Sequence, residues 1–400
     1  VKILQYCQHV LGVGHFFRTL EILRALSDHD VILVTGGERV AAELPAHVRE
    51  VHLPALMMDA NFKALHSGDE GASVEAVQAG RAERLFEIFR ETAPDLFLVE
   101  LYPFGRKKFR FELDPVLAGI REGTLPPCRT ACSLRDILVE KEDVASYENR
   151  VVTILNRWFG ALLIHADPKL IRLEETFSRV GDLETEIVYT GFVTPQPAPD
   201  ARERVRRDLG VGEAEFLIVA SAGGGKVGAP LLEATVAAFP LMDGAEKARL
   251  LVFTGPYMDD DAVDRLRRLA GDRVGVSRFT SDFLSHLAAA DLSVSMAGYN
   301  TTMNILAARV PALVWPFAQN REQRLRARRL IGLGAAMRII EEEDLIPNRL
   351  ARRMAAAIDR RDRPSVPVDL DGAARTAGWV AGRCRRRHCA FGLTTTSLPK

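Results

Sequence analysis

"DLSVSMAGYNTTMNILAARVPALVWPF", residues 291–317, packs a strand, a glycine turn, a helix and a second strand into one short span. The runs "DLSVSM" and "PALVWP" are apolar and bounded by turn residues, as buried strands are. Between them, Thr301 to Ala308 reads as helix. Two strands joined by a helix lie parallel in one sheet, so this stretch argues for an α/β fold.

The same unit recurs outward in both directions. Upstream come "EFLIVAS", a helix from Pro230, "RLLVFTG", a helix from Asp260, "RVGVS" and a helix from Asp282; downstream a helix starts at Glu322. The first half repeats the pattern with "VKILQYC", "DVILVT", "DLFLVE", "TACSL", "ALLIH" and "EIVYTG" as strands. Phe16 to Ser27, Ser73 to Thr92 and Asn149 to Phe159 read as helices there. The halves meet at "VTPQPAPDARE", Val193 to Glu203, whose prolines break both helix and sheet. The expectation is two doubly wound domains, 1–192 and 204–370, joined by a linker at 193–203. A helix at 371–382 crosses back to the first domain, and a basic tail follows at 383–400. A ligand site belongs in the cleft between the domains, at the carboxyl ends of the strands.

Composition narrows the partners. The chain has 400 residues, 47% hydrophobic and 26% charged, with a formal net charge of zero, and phosphate contacts to nucleic acid need a basic surplus. No stretch approaches a membrane span of about 20 apolar residues. The start lacks a signal peptide's pattern, so a cytoplasmic protein is expected. The five cysteines are scattered, which favours reduced thiols over a disulfide or metal framework; "CRRRHC", 384–389, falls in the tail.

The opening loop, "LGVGHFFRTLE" from Leu11 to Glu21, follows the first strand. A dinucleotide fingerprint requires G-x-G-x-x-G, and here Phe17 replaces the third glycine, so a nicotinamide cofactor is not expected. Gly12 and Gly14 still allow a ligand to approach the backbone. His15 stands at a helix N-terminus, whose partial positive charge keeps an imidazole neutral and able to act as a base. The alternative is a histidine that caps the helix or packs on the sheet.

Two glycine turns in the second half suit a diphosphate. "ASAGGGKVGAP" lacks Walker spacing, but Ser221, Gly223, Gly224 and Gly225 bare backbone N–H groups. In "SMAGYNTTMN", Gly298 turns the chain and Tyr299, Asn300, Thr301 and Thr302 open a helix with unpaired N–H donors. Gln319, Asn320, Glu322 and Gln323 follow the next strand, where carboxamides and a carboxylate can bind sugar hydroxyls. The D-x-D in "MDDDAVD", Asp259 to Asp261, precedes a helix and reads as capping rather than as a metal site, and no cofactor is expected.

Jointly these stretches resemble GT-B glycosyltransferases, most closely glycosyltransferase family 28 and its relatives. That group includes the lipid II-forming N-acetylglucosaminyltransferase and the nucleotide-sugar hydrolase of pseudaminic acid synthesis. "GVGHFFR" is similar to the hydrolase's loop, and "SMAGYNTTMNILAARVPALVWPF" to the nucleotide-sugar signature. "PDLFLVELYPFGRKKF", "CSLRDIL" and "IHADPKLIRLEETF" are similar to a bacterial subgroup of predicted glycosyltransferases. The resemblance spans most of residues 1–380 and implies two Rossmann-like domains facing each other across a cleft.

It also implies an inverting, metal-independent hexosyltransferase that moves a hexose or N-acetylhexosamine from a nucleotide sugar, UDP-linked by resemblance, to an acceptor hydroxyl. His15 would deprotonate the acceptor. Gly12, Gly14, Arg18 and Glu100 would lie on the acceptor side, with a structural Arg18–Glu100 ion pair as the competing reading. The turns at 221–225 and 298–302 would hold the diphosphate, and Gln319, Glu322 and Gln323 the donor sugar. An acid that binds ribose in the lipid II enzyme is replaced by Asn304, a weaker partner for hydroxyls. A hydrolase with His15 activating water, and a non-catalytic nucleotide-sugar-binding protein, remain open, as does a 2-epimerase lacking locatable acids. The acceptor is either lipid-linked or a small molecule; a lipid acceptor would bring the first domain to the inner membrane face, with Leu56 to Phe62 as the apolar contact.

Overall fold

The computed structural model describes residues 1–8, 14–37, 39–40, 42–58, 65–68, 71–138, 141–225, 227–319, 321–358 and 363–384. The first half supplies β1 (Lys2–Tyr6), β2 (Asp30–Gly36), β3 (Val48–Leu53), β4 (Leu56–Met58), β5 (Leu65–Ser67), β6 (Leu96–Glu100), β7 (Arg129–Arg135), β8 (Ala161–His165) and β9 (Glu186–Tyr189). Its helices are α1 (Gly14–Ala25), α2 (Val74–Thr92), α3 (Arg110–Glu122) and α4 (Val144–Trp158). The second half supplies β10 (Phe216–Ser221), β11 (Ala248–Phe253), β12 (Val274–Ser277), β13 (Leu292–Met296), β14 (Ala312–Trp315) and β15 (Met337–Ile339). Its helices are α5 (Ala201–Asp208), α6 (Ala229–Ala238), α7 (Asp260–Leu269), α8 (Phe283–Ala289), α9 (Tyr299–Ala308), α10 (Arg321–Gly332) and α11 (Pro347–Ile358), with α12 (Gly372–Cys384) last.

Two parallel sheets result, ordered β3-β2-β1-β6-β7-β8-β9 and β12-β11-β10-β13-β14-β15. Each reverses direction beside its first strand, β1 next to β6 and β10 next to β13. Such reversals open a crevice at the carboxyl ends of the strands, where ligands of this fold class bind. The central strands are buried on both faces: every residue of β6, β8 and β13 is buried. That explains their mostly apolar, small-residue runs without a solvated face.

Several elements escaped the sequence reading. β3, "VREVHL", is an edge strand with polar residues on its open face, so it lacks an apolar signature. α3 hides behind a proline in its second turn, Pro115. α4 starts at Val144 rather than Asn149 because the Asp143 carboxylate accepts from the Ser146 N–H and caps it. α5 begins at Ala201, within the proline-rich segment. Leu56, the first residue of β4, is fully buried, which corrects its expected place on an apolar surface patch; residues 59–62 lie outside the described residues.

The chain leaves the first sheet through Phe192–Val193 and returns through Asp369–Gly372. These crossings bond to each other: Phe192 N–H donates to Asp369 O (2.8 Å), and Gly372 N–H to Phe192 O (3.0 Å). α12 then packs on α1, with Val380 buried in the cluster that holds Phe16 and Leu20. No helix among the described residues is long and apolar enough to cross a membrane.

Candidate active site

The two sheet reversals face each other. β1 leads into α1, which carries His15 in its first turn and Arg18 one turn on, on the same face. β6, the neighbour of β1, ends at Glu100. These three side chains converge. His15 Nδ1 lies 2.6 Å from Glu100 Oε1, Arg18 Nη2 lies 2.6 Å from the same oxygen, and Nη2 is 3.2 Å from His15 Nδ1. Glu100 Oε2 is buried without a hydrogen-bond partner among the described residues and lies 3.9 Å from Arg106 Nη2.

The protonation states follow. Burial alone would raise the Glu100 carboxyl, but His15, Arg18 and Arg106 outweigh it and hold it down at about 2. Burial pushes His15 down to about 4; Glu100 pulls upward while Arg106 and Arg18 oppose it. At neutral pH the site therefore holds a carboxylate and a neutral imidazole. A carboxylate 2.6 Å from Nδ1 requires Nδ1 to carry the proton and donate it. Nε2 keeps its lone pair, and the His15 side chain retains 23% of its surface while Glu100 has none. A base oriented by a buried acid is the arrangement general-base catalysis requires.

Opposite stands the reversal of the second sheet. β13 ends at Met296 and Gly298 is the N-cap of α9, so no cap side chain bonds the first turn. Glycine at that position leaves the helix's N-terminal N–H groups to solvent or a ligand. The turn after β10 lies alongside: a Cβ on Gly223 would stand 3.8 Å from Thr301 Oγ1. Gly223 and Gly225 have φ of +65° and +96°, and a Cβ on Gly225 would meet Thr254 O at 2.6 Å. Glycine at 225 is therefore a backbone necessity. Gly224 is exposed, with open space around it. Ser221 Oγ is committed within this turn, accepting from the Gly223 N–H (3.1 Å).

The α9 turn reaches the start of α1. Asn300 Nδ2 donates to Gly14 O, the residue before His15, at 3.0 Å. Tyr299 instead turns its ring into the seam between the domains. Its hydroxyl donates to His165 O and accepts from the Val193 N–H, both at 3.1 Å, so only its backbone remains for a ligand. Thr302 is buried, and its hydroxyl lacks a partner among the described residues. Asn304 Oδ1 accepts from Thr194 Oγ1 (2.9 Å), which engages one end of the amide with the interdomain crossing.

Of the residues after β14, Gln319 is exposed, and Gln323 Oε1 accepts from the Phe317 N–H (3.0 Å). Glu322 pairs with Arg135 across the cleft. Gly12 and Asn320 lie outside the described residues. Asp260 pairs with Arg278, Asp259 makes no side-chain cap bond to α7, and no cluster among the described residues is arranged to hold a metal ion.

Sequence reading missed four charged groups here. Asp136 and Arg326, each 1% exposed, form a two-bond pair across the seam (2.6 and 3.1 Å). Arg326 sits in an arginine run that also reads as a solvated face, yet it shares the inward side of α10 with Glu322, four residues earlier. Arg135 ends β7, and burial lowers it to about 10. Arg106 lies in the turn after β6 with a left-handed φ of 59°. The stretches "CSLRDIL" and "VELYPFGRKKF" contain three of these four. The signal available was their position just past the carboxyl end of a strand.

Comparison with known proteins agrees with this fold. Residues 222–366 match the glycosyltransferase family 28 C-terminal domain. The chain is 26% identical over 243 residues to an uncharacterized glycosyltransferase of Methanopyrus kandleri, covering 59% of this chain and 66% of that protein. It is 31% identical over 185 residues to the UDP-N-acetylglucosamine–N-acetylmuramyl-(pentapeptide) pyrophosphoryl-undecaprenol N-acetylglucosamine transferase of Carboxydothermus hydrogenoformans, covering 46% of this chain and 47% of that enzyme. These alignments thus span less than two thirds of the relatives. The structure of Acinetobacter baumannii MurG superimposes with a TM-score of 0.55 at 14% identity, covering 96% of this chain and 99% of that one. The chain is a GT-B-fold protein, two Rossmann-like domains facing across a cleft, related to the family 28 glycosyltransferases.

Proposed function

We propose that this protein is an inverting, metal-independent glycosyltransferase that takes a hexose or N-acetylhexosamine from a nucleotide sugar, UDP-linked, to an acceptor hydroxyl. The observation that carries the reading is the His15–Glu100 pair set opposite the glycine-capped start of α9. In this mechanism Nε2 of His15 takes the acceptor proton as the hydroxyl oxygen attacks the anomeric carbon. The bond to the diphosphate breaks on the far side, through an oxocarbenium-like state. The first turn of α9 and the Gly224 N–H of the neighbouring turn hold the departing diphosphate with fixed N–H donors, which stabilise charge without reorganising. Glu100 stays ionised and stabilises the imidazolium that forms. The N–H face of Gln323 and the exposed Gln319 receive the donor sugar.

The test is nucleotide release from a panel of nucleotide sugars, with and without lipid-linked or small acceptors. Release that requires an acceptor supports transfer. Release into water alone at full rate assigns a hydrolase, and binding without turnover a nucleotide-sugar-binding protein. His15→Ala is expected to keep donor binding and lose turnover.

A further inference from the structure

Arg18 is held in an unusual way. Its hydrogen bond leaves from Nη2 to Glu100, and the same Nη2 lies 3.2 Å from the protonated Nδ1 of His15. Its Nε is buried with no partner among the described residues, although the side chain is 3% exposed. Its other contact is an aromatic face: Cζ lies 5.5 Å from the centroid of the Tyr299 ring, within the range of a cation–π interaction. Arg326 Cζ lies at the same 5.5 Å from that ring, and Asp136 holds it there. The hydroxyl is fixed from the first domain by Val193 and His165. The ring is thus immobilised at its edge and gripped by two guanidinium groups, and it belongs to the first residue of α9.

We propose that Tyr299 is a positioning residue: its ring face holds the Arg18 guanidinium against Glu100 and ties the His15–Glu100 pair to the first turn of the diphosphate-binding helix. One residue thereby sets the spacing between base and leaving group. The base and leaving-group roles rest on the function proposed above; the placement of Arg18 by Tyr299 does not.

The test follows the His15 ring by NMR titration of histidine-labelled full-length protein, a readout that needs no turnover. The charged groups acting on that ring are Glu100 from β6, Arg18 from α1 and Arg106 from the turn after β6. Tyr299→Met keeps bulk and removes the π face. Arg18 then loosens, its repulsion weakens, and the His15 midpoint rises by about 0.5–1 pH unit. Tyr299→Phe removes only the two seam hydrogen bonds; it lowers thermal stability and leaves the midpoint in place. A folded Met variant with an unmoved midpoint overturns the proposal, and so does a Phe variant whose midpoint moves, which also decides the matter should the Met variant fail to fold. A wild-type protein that releases no nucleotide, with the titration behaving as stated, overturns only the proposed function.

Discussion

Glu100→Gln isolates the work of the buried carboxylate. Its Oε1 receives both His15 Nδ1–H and Arg18 Nη2–H at 2.6 Å, and a glutamine carbonyl can still accept them. Geometry is therefore largely kept while the charge is removed. Since Glu100 raises the His15 pKa, its loss moves that value below the present level of about 4. The ring stays neutral at pH 7, and the ground state is unchanged there. The transition state is not: His15 must become a cation beside Arg18 and Arg106 with no anion to offset them. A unit charge at about 4 Å in a site of effective dielectric ~20 contributes about 4 kcal/mol, and about 1 kcal/mol if water screens it fully. A half-buried imidazole facing a fully buried carboxylate falls toward the upper part of that range. At about 1.4 kcal/mol per decade the expected loss in kcat is about 10²- to 10³-fold. KM for the donor stays near wild type, because Glu100 has no exposed surface to touch it. Arg18 keeps its hydrogen bond but is buried without a counter-charge, at a cost of up to about 3–5 kcal/mol in stability, so circular dichroism must accompany the kinetics. Glu100→Gln with Arg18→Gln restores stability but not rate. A folded Glu100→Gln enzyme within about threefold of wild-type kcat at pH 7, or one whose acid limb moves upward, refutes the reasoning.

Other outcomes follow from the same structure. Asp136→Asn strips the anion from Arg326 in the interdomain seam and lowers the unfolding free energy by about 3–5 kcal/mol, read by urea titration; Asp136→Leu with Arg326→Met recovers most of it. Burial depresses His15 to about 4 and His165 to about 3 from the usual 6.5, so both must stay neutral in the fold. Their contribution is complete above pH 6.5 and is lost as pH falls through that window; for His15 alone it is about 3 kcal/mol, and melting temperatures measured from pH 7 to pH 4 should decline steadily. Gly225→Ala forces a Cβ to 2.6 Å from Thr254 O at a φ of +96° and costs about 2 kcal/mol or more in thermal unfolding, whereas Gly224→Ala, with open space around it, changes the melting temperature little.

Much of the architecture was written in periodicity. Alternating apolar runs and helical stretches located the central strands of both sheets, because burial on two faces leaves such runs few charged residues. The edge strand β3 was invisible for the opposite reason. At the site, His15, Arg18 and Glu100 could be read as one cluster because each stands at a strand end or helix start, and those ends meet in a doubly wound fold. Tyr299 and Asn304 were legible as members of the α9 turn but not in the direction of their side chains, which depends on the first domain packing against them. Arg326 was hidden by its neighbours: a run of arginines looks solvated until a buried Asp136, far away in sequence, selects one of them.

The paired crossings at Phe192–Val193 and Asp369–Gly372 have a mechanical consequence. A single tether would let the lobes swivel freely; two strands clipped together behave like a strap hinge and permit rotation about one axis. The seam contacts of Tyr299 lie beside Val193 at this crossing, whereas Phe17 and Phe279, whose rings stack across the gap at 6.0 Å, belong to the two opposite lobes and are the contacts that a rotation there would part. If the lobes part to admit a donor, the Asn300–Gly14 and Arg135–Glu322 contacts must open together with that aromatic pair.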